Sequence, residues 1–301
     1  MPGVISTGNH PKALWPGIKA WWGRVYGEHQ EEFPALYEKD TSTQNYEEDV
    51  LTTGFGLAPV KKEGVAVQFD SETQGYVTRY THAVYGLGYI VTKEEMEDNL
   101  YEMVSKRRSG ANAFSMRQTK EIMGAYPYNN GFSAFTTGDS VALFSASHTS
   151  LAGNQSNILA TAVDICETGI EDLLTQIMKA TNHRGLKISL MAKSLHVPPD
   201  LWFEANRILK SVLQNDTAHN AVNVLKSTNA LPGGIHINHY FTSTTNWFIR
   251  TNAPRGPVYF ERRPIAFTTD NDFDTENAKA KSTERYSFGV TDFRGIYASG
   301  S

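Results

Sequence analysis

Several residues of this sequence have types and spacings that catalysis or metal binding could use. His236 and His239 are three positions apart, Ser147-His148 follows Asp139, and Cys166 is the single cysteine. The two histidines would point to opposite faces of a strand, so they cannot chelate a metal as a pair on a helix would. A chain of this length offers many combinations of serine, histidine and aspartate, so this one does not indicate a catalytic triad. Cys166 lies on the Ile/Leu side of a predicted helix, which favours a small buried apolar residue over a nucleophile.

Phosphate-binding, calcium-binding and hydrolase motifs are incomplete. Tyr85-Gly-Leu-Gly88 has two closely spaced glycines but neither a third nor the Lys-Ser/Thr of a phosphate loop. Asp270-Asn-Asp-Phe-Asp274 lacks the glycine and the distal glutamate of a calcium loop, so we expect a solvated turn there. No serine has both glycines of a nucleophile elbow. The residues that could do chemistry therefore predict neither an enzyme nor a cofactor.

Composition and charge exclude further classes of protein. Of the 301 residues, 40% are hydrophobic, 28 are Lys or Arg and 32 are Asp or Glu, which gives a formal net charge of −4. A protein that reads duplex DNA would show a basic surplus, and one cysteine excludes an intramolecular disulfide framework. The N-terminus lacks the layout of a signal peptide, and no apolar run approaches the ~20 residues of a membrane span. We expect a soluble protein that folds in a reducing cytoplasm and has no membrane partner.

Two predicted elements are too long for a compact globule. Alternating Val65, Val67 and Phe69 predict a strand, and the run Tyr76–Val91 would reach about 50 Å if it were extended, with Gly86 and Gly88 as the weak points. Thr92-Lys-Glu-Glu95 is a capping box that predicts a helix to about Ala125, roughly 48 Å long. A ball of this chain length would be only about 50 Å across. The two lengths favour an elongated subunit with projections that contact neighbours.

The rest of the chain predicts a mixture of short helices and strands. Before the hairpin, an aromatic helix runs from about Leu14 to the Phe33-Pro34 step. Later helices are predicted at about 160–182 and 201–213, and strands at 186–191, 222–225, 234–241 and 247–250. From Val258 the chain is β-like, and small or aromatic residues alternate with Lys279, Lys281, Thr283 and Arg285.

The order of these elements, with several short motifs, resembles the major capsid (major head) proteins of tailed bacteriophages, particularly the Mu-like major head subunit group. The aromatic N-terminal arm, the hairpin and the long capped helix come first. The motifs that follow are Asp139-Ser-Val-Ala-Leu-Phe144-Ser-Ala-Ser-His148, Leu195-His-Val-Pro-Pro-Asp-Leu201, Ala205-Asn-Arg-Ile-Leu209, Asn246-Trp-Phe-Ile249, Asp272-Phe-Asp274, Tyr286-Ser-Phe-Gly289 and Thr291-Asp-Phe-Arg-Gly-Ile-Tyr297. The resemblance runs from about residue 14 to the C-terminus.

The resemblance implies the α+β Hong Kong 97 fold. Its parts would be an N-terminal arm (1–44), an extended β-hairpin loop (45–91) that lies across an adjacent subunit, and a peripheral domain (92–187) with a spine helix (92–125). An axial domain (188–261) would follow, and C-terminal strands (262–301) would return to the peripheral domain.

By the same resemblance the function is structural. Copies would assemble into hexamers and pentamers of an icosahedral head around double-stranded DNA, bound without sequence specificity, with a separate scaffold, a portal and a decoration protein as further partners. The protein would be made in the host bacterial cytoplasm and located in the virion. An encapsulin-like compartment shell is the alternative. The expected assembly contacts are Trp15, Trp21, Trp22, Lys61, Lys62, Tyr76, Arg79, Arg107 and Arg108.

Overall fold

The computed structural model describes residues 15–97, 101–214, 221–272 and 277–300. In chain order its helices are α1 (Trp15–Glu28), α2 (Phe33–Leu36), α3 (Lys93–Glu97), α4 (Tyr101–Asn129), α5 (Glu167–Met178), α6 (Trp202–Lys210) and α7 (Val224–Ser227), with 3-10 turns at Pro199–Leu201 and Phe293–Gly295. Its strands are β1 (Glu38–Thr41), β2 (Tyr46–Thr52), β3 (Gln74–Thr81), β4 (Ala83–Val91), β5 (Ala192–Val197), β6 (Ile235–Ile237), β7 (Trp247–Thr251), β8 (Pro257–Asn271), β9 (Ala278–Val290) and β10 (Ile296–Ser299).

One four-stranded sheet, in the order β1-β8-β9-β4, is covered on one face by α1 and α4. β8 and β9 pair antiparallel from Pro257 opposite Val290 to Asn271 opposite Ala278. Along β9 buried and more exposed residues alternate, as the sequence predicted, because successive side chains of a strand point to opposite faces. Ala278 and Ala280 pack with Trp22 of α1 in the core under this sheet.

The second four-stranded sheet has the order β10-β7-β5-β6 and packs on α5. The apolar stripe of α5 is buried against Leu195 and Trp247 of this sheet. A cluster of aromatic rings joins the two sheets, with Tyr128 of α4, Phe248 of β7 and Tyr259 of β8 among its members. The two halves of the chain therefore share a continuous core.

The predicted domain boundaries can be compared with these elements, although the division into domains itself stays a prediction. The boundary at 261/262 falls inside β8, and α5, assigned to the peripheral domain, packs on the β5–β7 sheet. Of the C-terminal strands, β8 and β9 lie on α4, whereas β10 pairs with β7.

The long run from Tyr76 to Val91 is extended, but it forms two strands in two sheets. β3 pairs only with β2 in a two-stranded ribbon, and β4 is the edge strand beside β9. The interruption lies at His82, whose ring nitrogens are 2.9 Å from Ser287 Oγ and 3.0 Å from Ser42 Oγ. Gly86 and Gly88, the predicted weak points, lie inside β4 and do not interrupt it.

The helix predicted from Thr92 to Ala125 is observed as α3 and α4. Thr92 caps α3 as predicted, since its Oγ1 accepts the Glu95 N–H at 3.3 Å. Glu95 also forms two hydrogen bonds of 2.8 Å with Arg108 of α4. In one straight helix these residues would be about 20 Å apart along the axis, beyond the reach of their side chains. The two helices are therefore not collinear, and α4 continues to Asn129.

Four other predictions of local structure were wrong. Residues 65–69 form no strand, and Val65, Val67 and Phe69 are exposed because no strand lies beside them. Val222–Leu225 is not a strand, since α7 begins at Val224. The helix predicted at 160–182 is the shorter α5, and the strand predicted at 186–191 begins only at Ala192.

Cys166 is not a buried helix residue. It precedes α5 as its N-cap in an extended conformation, and its Sγ accepts the Gly169 N–H at 3.3 Å. Its side chain is exposed.

Candidate assembly surface

The β2–β3 ribbon has one face against its own chain. Tyr80 is buried there, its ring lies beside Phe260, and its hydroxyl is 2.6 Å from Thr291 Oγ1. Asp49 of β2 accepts a hydrogen bond from Thr291 at 2.8 Å and pairs with Arg255 at 3.2 Å. These contacts fix the base of the ribbon to the end of β9.

A second set of contacts holds the far end of the ribbon. A Cβ on Gly138 would lie 2.6 Å from Thr78 Oγ1, so the two segments touch at a position where only glycine fits without displacement. Tyr76 donates its hydroxyl to the Thr149 carbonyl, and its ring packs edge-on against His183. The far end of the ribbon therefore rests on the 138–149 segment.

Asp70 completes this attachment through Arg184, whose guanidinium lies 3.1 Å from its Oδ2. Hydrogen bonds from the backbone N–H groups of Gly56 and Ser71, and then the charge of Arg184, hold the pKa of Asp70 below its usual value. The carboxylate is therefore charged at neutral pH and ties both limbs of the loop to the turn after α5.

Beyond Asp70, the loop between β2 and β3 is an apolar projection without a core of its own. The exposed fractions are 81% for Leu57, 93% for Val60 and 96% for Phe69, and Phe55, Val65 and Val67 are also exposed. A space of about 580 Å³ lies between the two limbs. Single exposed apolar residues are common, but a contiguous set of this size marks an interaction site. The outer face of the ribbon extends this set with Tyr46, Val50 and Val77.

Five of the expected contact residues have side chains that are at least partly exposed in the subunit and so are accessible to a neighbouring copy. Lys61 and Lys62 are exposed at the loop, and in the described structure neither forms an ion pair. Arg79 is exposed over the ring of Tyr46 at 3.9 Å, Arg107 is exposed on α4, and Trp21 is half-buried. A role for these five in assembly stays a prediction.

The other expected contact residues are engaged within their own chain or lie outside the description. Trp22 is 5% exposed, stacks on Tyr26 and Phe267, and donates its Nε1–H to Asn112 at 2.9 Å. Within the subunit its ring is therefore a core residue, and its expected contact with a neighbour stays a prediction.

Tyr76 and Arg108 are held by the contacts described above, with part of each side chain still accessible. Trp15 begins α1, and its side chain lies outside the described residues.

The residues considered for catalysis or metal binding form hydrogen bonds with other residues of their own chain. Asp139 and His148 do meet, at 2.6 Å and almost fully buried, but the other ring nitrogen of His148 lies 3.2 Å from the Leu143 carbonyl. Ser147 bonds to Ser145 and so is not activated by that histidine.

His236 and His239 have separate partners, the Gly233 carbonyl and Glu32. Within the described ranges no three His, Cys, Asp or Glu side chains are grouped to hold a metal, and no described helix is long and apolar enough to cross a membrane.

The most exposed apolar residues of this surface are not predicted from the sequence. Leu57, Val60 and Phe69 are not among the contact residues expected from the sequence, and the alternation at 65–69 predicts a strand for the last of them. The available signal was that this apolar segment contains Pro59, is interrupted by Gly54, Gly56 and Gly64, and has no neighbouring strand pattern to pair with.

Comparison by sequence gives one family. A family model described as phage capsid protein matches residues 75–299, about three quarters of the chain. No curated protein sequence matches the chain.

Comparison by structure gives capsids and related particles. The chain is similar to a virus-like particle from Pyrococcus furiosus (TM-score 0.54, 11% identity, 95% of this chain and 98% of that one). It is similar to the mature capsid of bacteriophage PhiM1 (0.55, 12%, 90% and 87%) and to the capsid of Myoviridae phage XM1 (0.51, 9%, 99% and 99%). At these identities the likeness shows the fold, and the predicted α+β Hong Kong 97-like fold is confirmed. The Mu-like subgroup stays a prediction.

Proposed function

This chain belongs to the phage capsid protein family, and from that premise we propose that its copies form the hexamers and pentamers of an icosahedral phage head around double-stranded DNA. Its role is that of a structural major capsid subunit, and its place is the capsid of the virion. The family is a structural one. Synthesis and assembly in the cytoplasm of a host bacterium belong to the same proposal.

The observation that carries the proposal is the apolar loop between β2 and β3. Leu57, Val60 and Phe69 are more than four-fifths exposed, and the loop encloses no core. Burial of one such side chain is worth about 1.5–3 kcal/mol, so isolated copies would gain stability by covering the loop. In a closed shell every copy gives and receives the same contact, and many moderate interfaces then act together.

The charge of the chain supports packaging without sequence-specific binding. Its formal net charge of −4 lacks the basic surplus that would hold DNA tightly through its phosphates. A lining that releases DNA suits a container that must be filled and later emptied. A separate scaffold, a portal and a decoration protein complete the proposed set of partners.

Electron microscopy of the purified protein tests the proposal. The full chain would be expressed, together with a neighbouring scaffold gene if there is one, and viewed by negative stain beside a variant whose residues 57–69 are replaced by a Gly-Ser linker. We expect closed shells of uniform diameter, or rings and sheets of hexamers, from the natural chain and none from the variant. A persistent monomer of the natural chain would contradict the proposal. Uniform shells filled with a cargo enzyme instead of DNA would favour the encapsulin-like alternative.

A further inference from the structure

The outer side of α6 combines an aromatic side chain with basic ones. α6 has nine residues, and Ala205 and Ile208 on its inner side are buried. Phe203, Arg207 and Lys210 follow one another at steps of four and three residues, so they lie together on the opposite side of the helix. All three are exposed, and the exposed fraction of Phe203 is 77%.

α7 adds a third positive charge to the C-terminal end of α6. The Lys226 ammonium donates to the Lys210 carbonyl at 2.7 Å, and Lys210 Nζ lies 5.9 Å from the centre of the Trp202 ring. In the part of the chain that the structure describes, Arg207, Lys210 and Lys226 form no ion pair with a carboxylate. Three cations therefore lie at one end of this helix without a negative partner.

Apolar side chains continue this surface beyond the helix. Val212 lies two positions after α6, and the Asn223 N–H donates to its carbonyl at 3.2 Å, which brings Val222 to the same end. The exposed fractions of Val212 and Val222 are 69% and 61%. The helix dipole favours cations at a C-terminus, but it gives no reason for exposed apolar residues on both sides of them. An exposed aromatic ring, valines and an arginine together are typical of a protein interaction site.

We propose that this surface binds an acidic segment of another protein, in which glutamates or aspartates lie between two apolar residues. The residues of this α6 surface are Phe203, Arg207, Lys210, Val212, Val222 and Lys226. The carboxylates of the partner would pair with the three cations, and its apolar residues would cover the phenylalanine and the valines. From Phe203 to Lys210 the helix is about 10 Å long, which three or four extended residues span.

Duplex DNA fits the α6 surface less well than an acidic protein segment does. Its phosphates would use the three cations but leave Phe203 and the valines in water. Stacking on an aromatic ring needs unpaired bases, which a duplex does not offer. Asp200 and Glu204, exposed near the start of α6, would repel a continuous line of phosphates, whereas a short acidic segment can end before them.

Peptide binding to the full-length subunit tests the proposal. The probe is a short fluorescent peptide in which several glutamates lie between two leucines. One control peptide has serines in place of the leucines, and the other has lysines in place of the glutamates. Fluorescence anisotropy should show saturable binding of the probe that weakens as salt is added, and both controls should bind at least about tenfold more weakly.

Variants of the α6 surface separate its apolar and its charged parts. Phe203→Ser should weaken binding of the probe about tenfold, and Arg207→Glu combined with Lys210→Glu about a hundredfold. All these positions are exposed, so the thermal unfolding temperature should stay that of the natural subunit. The charge-reversed variant should bind the lysine peptide instead, a gain that loss of the fold could not produce.

Two matched variants locate the bound peptide. Lys187→Glu and Met178→Ser change exposed residues outside the α6 surface and should leave binding of the probe unchanged. Loss of binding in Met178→Ser would place the peptide in the apolar groove of about 700 Å³ between α5 and residues 224–232, and would overturn the inference.

Three further results would overturn the inference. They are no binding of the probe, equal binding of the serine peptide, and tighter binding of a duplex DNA oligonucleotide than of the probe. Self-association of the natural subunit that the charge-reversed variant abolishes, measured by sedimentation, would show that a second copy and not another protein occupies the surface. None of these measurements requires assembly, so their outcome is independent of the microscopy that tests the capsid function.

Discussion

Glu121 of α4 is a buried carboxyl that holds the segment between α1 and α2. Its two oxygens accept the backbone N–H groups of Glu32 and Phe33 at 3.1 and 3.0 Å. Burial raises the pKa of Glu121 to about 7, and those two hydrogen bonds only partly oppose it. Because the pKa is raised in the folded chain, the stabilisation from the protonated carboxyl is present below pH 4.5 and is lost as the pH rises to about 7.

The variant Glu121→Gln should remove this pH dependence. It leaves one backbone N–H facing an amide nitrogen and so costs about 1–3 kcal/mol at every pH. Relative to the variant, the natural subunit should lose about 1–3 kcal/mol of unfolding free energy between pH 5 and pH 7.5. Urea unfolding of unassembled subunits at both pH values measures this difference. Parallel pH profiles for the two proteins would contradict it.

His148 and Asp139 form a buried hydrogen-bonded pair. The ring nitrogens of His148 lie 2.6 Å from Asp139 Oδ2 and 3.2 Å from the Leu143 carbonyl, and the ring stacks on Phe293. Burial acts to raise the pKa of Asp139, but hydrogen bonds from His148 and Thr137 outweigh it and hold that pKa below 3.8. The stabilisation from this pair is therefore present above pH 4 and is lost in stronger acid.

Removal of one partner from this pair should be costly. His148→Ala leaves an uncompensated buried carboxylate and should lower the unfolding free energy by about 3–5 kcal/mol at neutral pH. The control Ser147→Ala, at an exposed neighbouring position, should change it by less than about 0.5 kcal/mol. Equal effects in urea unfolding would show that the pair does not stabilise the segment.

At the scale of elements, the β2–β3 ribbon is positioned by close contact at Gly138. A methyl group there would lie 2.6 Å from Thr78 Oγ1 and 3.3 Å from the Val77 carbonyl. The ribbon and the loop at its end therefore have their direction set by the absence of a side chain at one position.

Gly138→Ala should displace the ribbon and destabilise the subunit by about 1–3 kcal/mol. Thr78→Ala removes the atom that the new methyl group would strike, so the double variant should recover most of that loss. Urea unfolding of both single variants and the double variant gives the coupling energy. Simple additivity would show that the contact does not position the ribbon.

Single elements were predictable where local pattern decides them. The alternation along β9 and the Thr92 cap are both in the structure, since they depend on residues within a few positions of one another. The break at His82 and the different directions of α3 and α4 were not predictable. They depend on Ser42, Ser287 and the Glu95–Arg108 pair, which join distant parts of the chain.

At the scale of the whole molecule, the subunit buries its own core but leaves the apolar side chains of the loop between β2 and β3 exposed. Phe69→Ser changes a side chain that is 96% exposed, so the unfolding free energy of the subunit should change by less than about 0.5 kcal/mol. Assembly into shells should be lost, because the apolar contact that the loop offers is gone. Urea unfolding and negative-stain microscopy of one preparation measure both effects.

Leu173→Ser is the matched control for that variant. Leu173 is fully buried, so a serine there should cost about 2–5 kcal/mol in the subunit itself. Normal shells from Phe69→Ser would mean that the loop is not an assembly contact.

The sequence by itself determined the fold class and the structural role. The capsid fold was predicted from the order of several short motifs, from two elements too long for a compact globule and from the lack of a complete catalytic motif. The family match and the structural likeness confirm that fold. The sequence also predicted assembly contacts in the loop region, at Lys61 and Lys62, and these stay predictions. Motif order, element length and hydrophobic periodicity are all properties of residues close together along the chain, so they can be read without knowledge of the tertiary structure.

Only the tertiary structure decided which residues face outward. Trp22 is a large aromatic residue near the N-terminus, but its ring is buried against Asn112 and Phe267. Phe69 lies in an alternating apolar pattern that predicts a strand, but no strand lies beside it and its side chain is exposed. Burial depends on what the rest of the chain brings to each side chain, and that is set by contacts between distant residues.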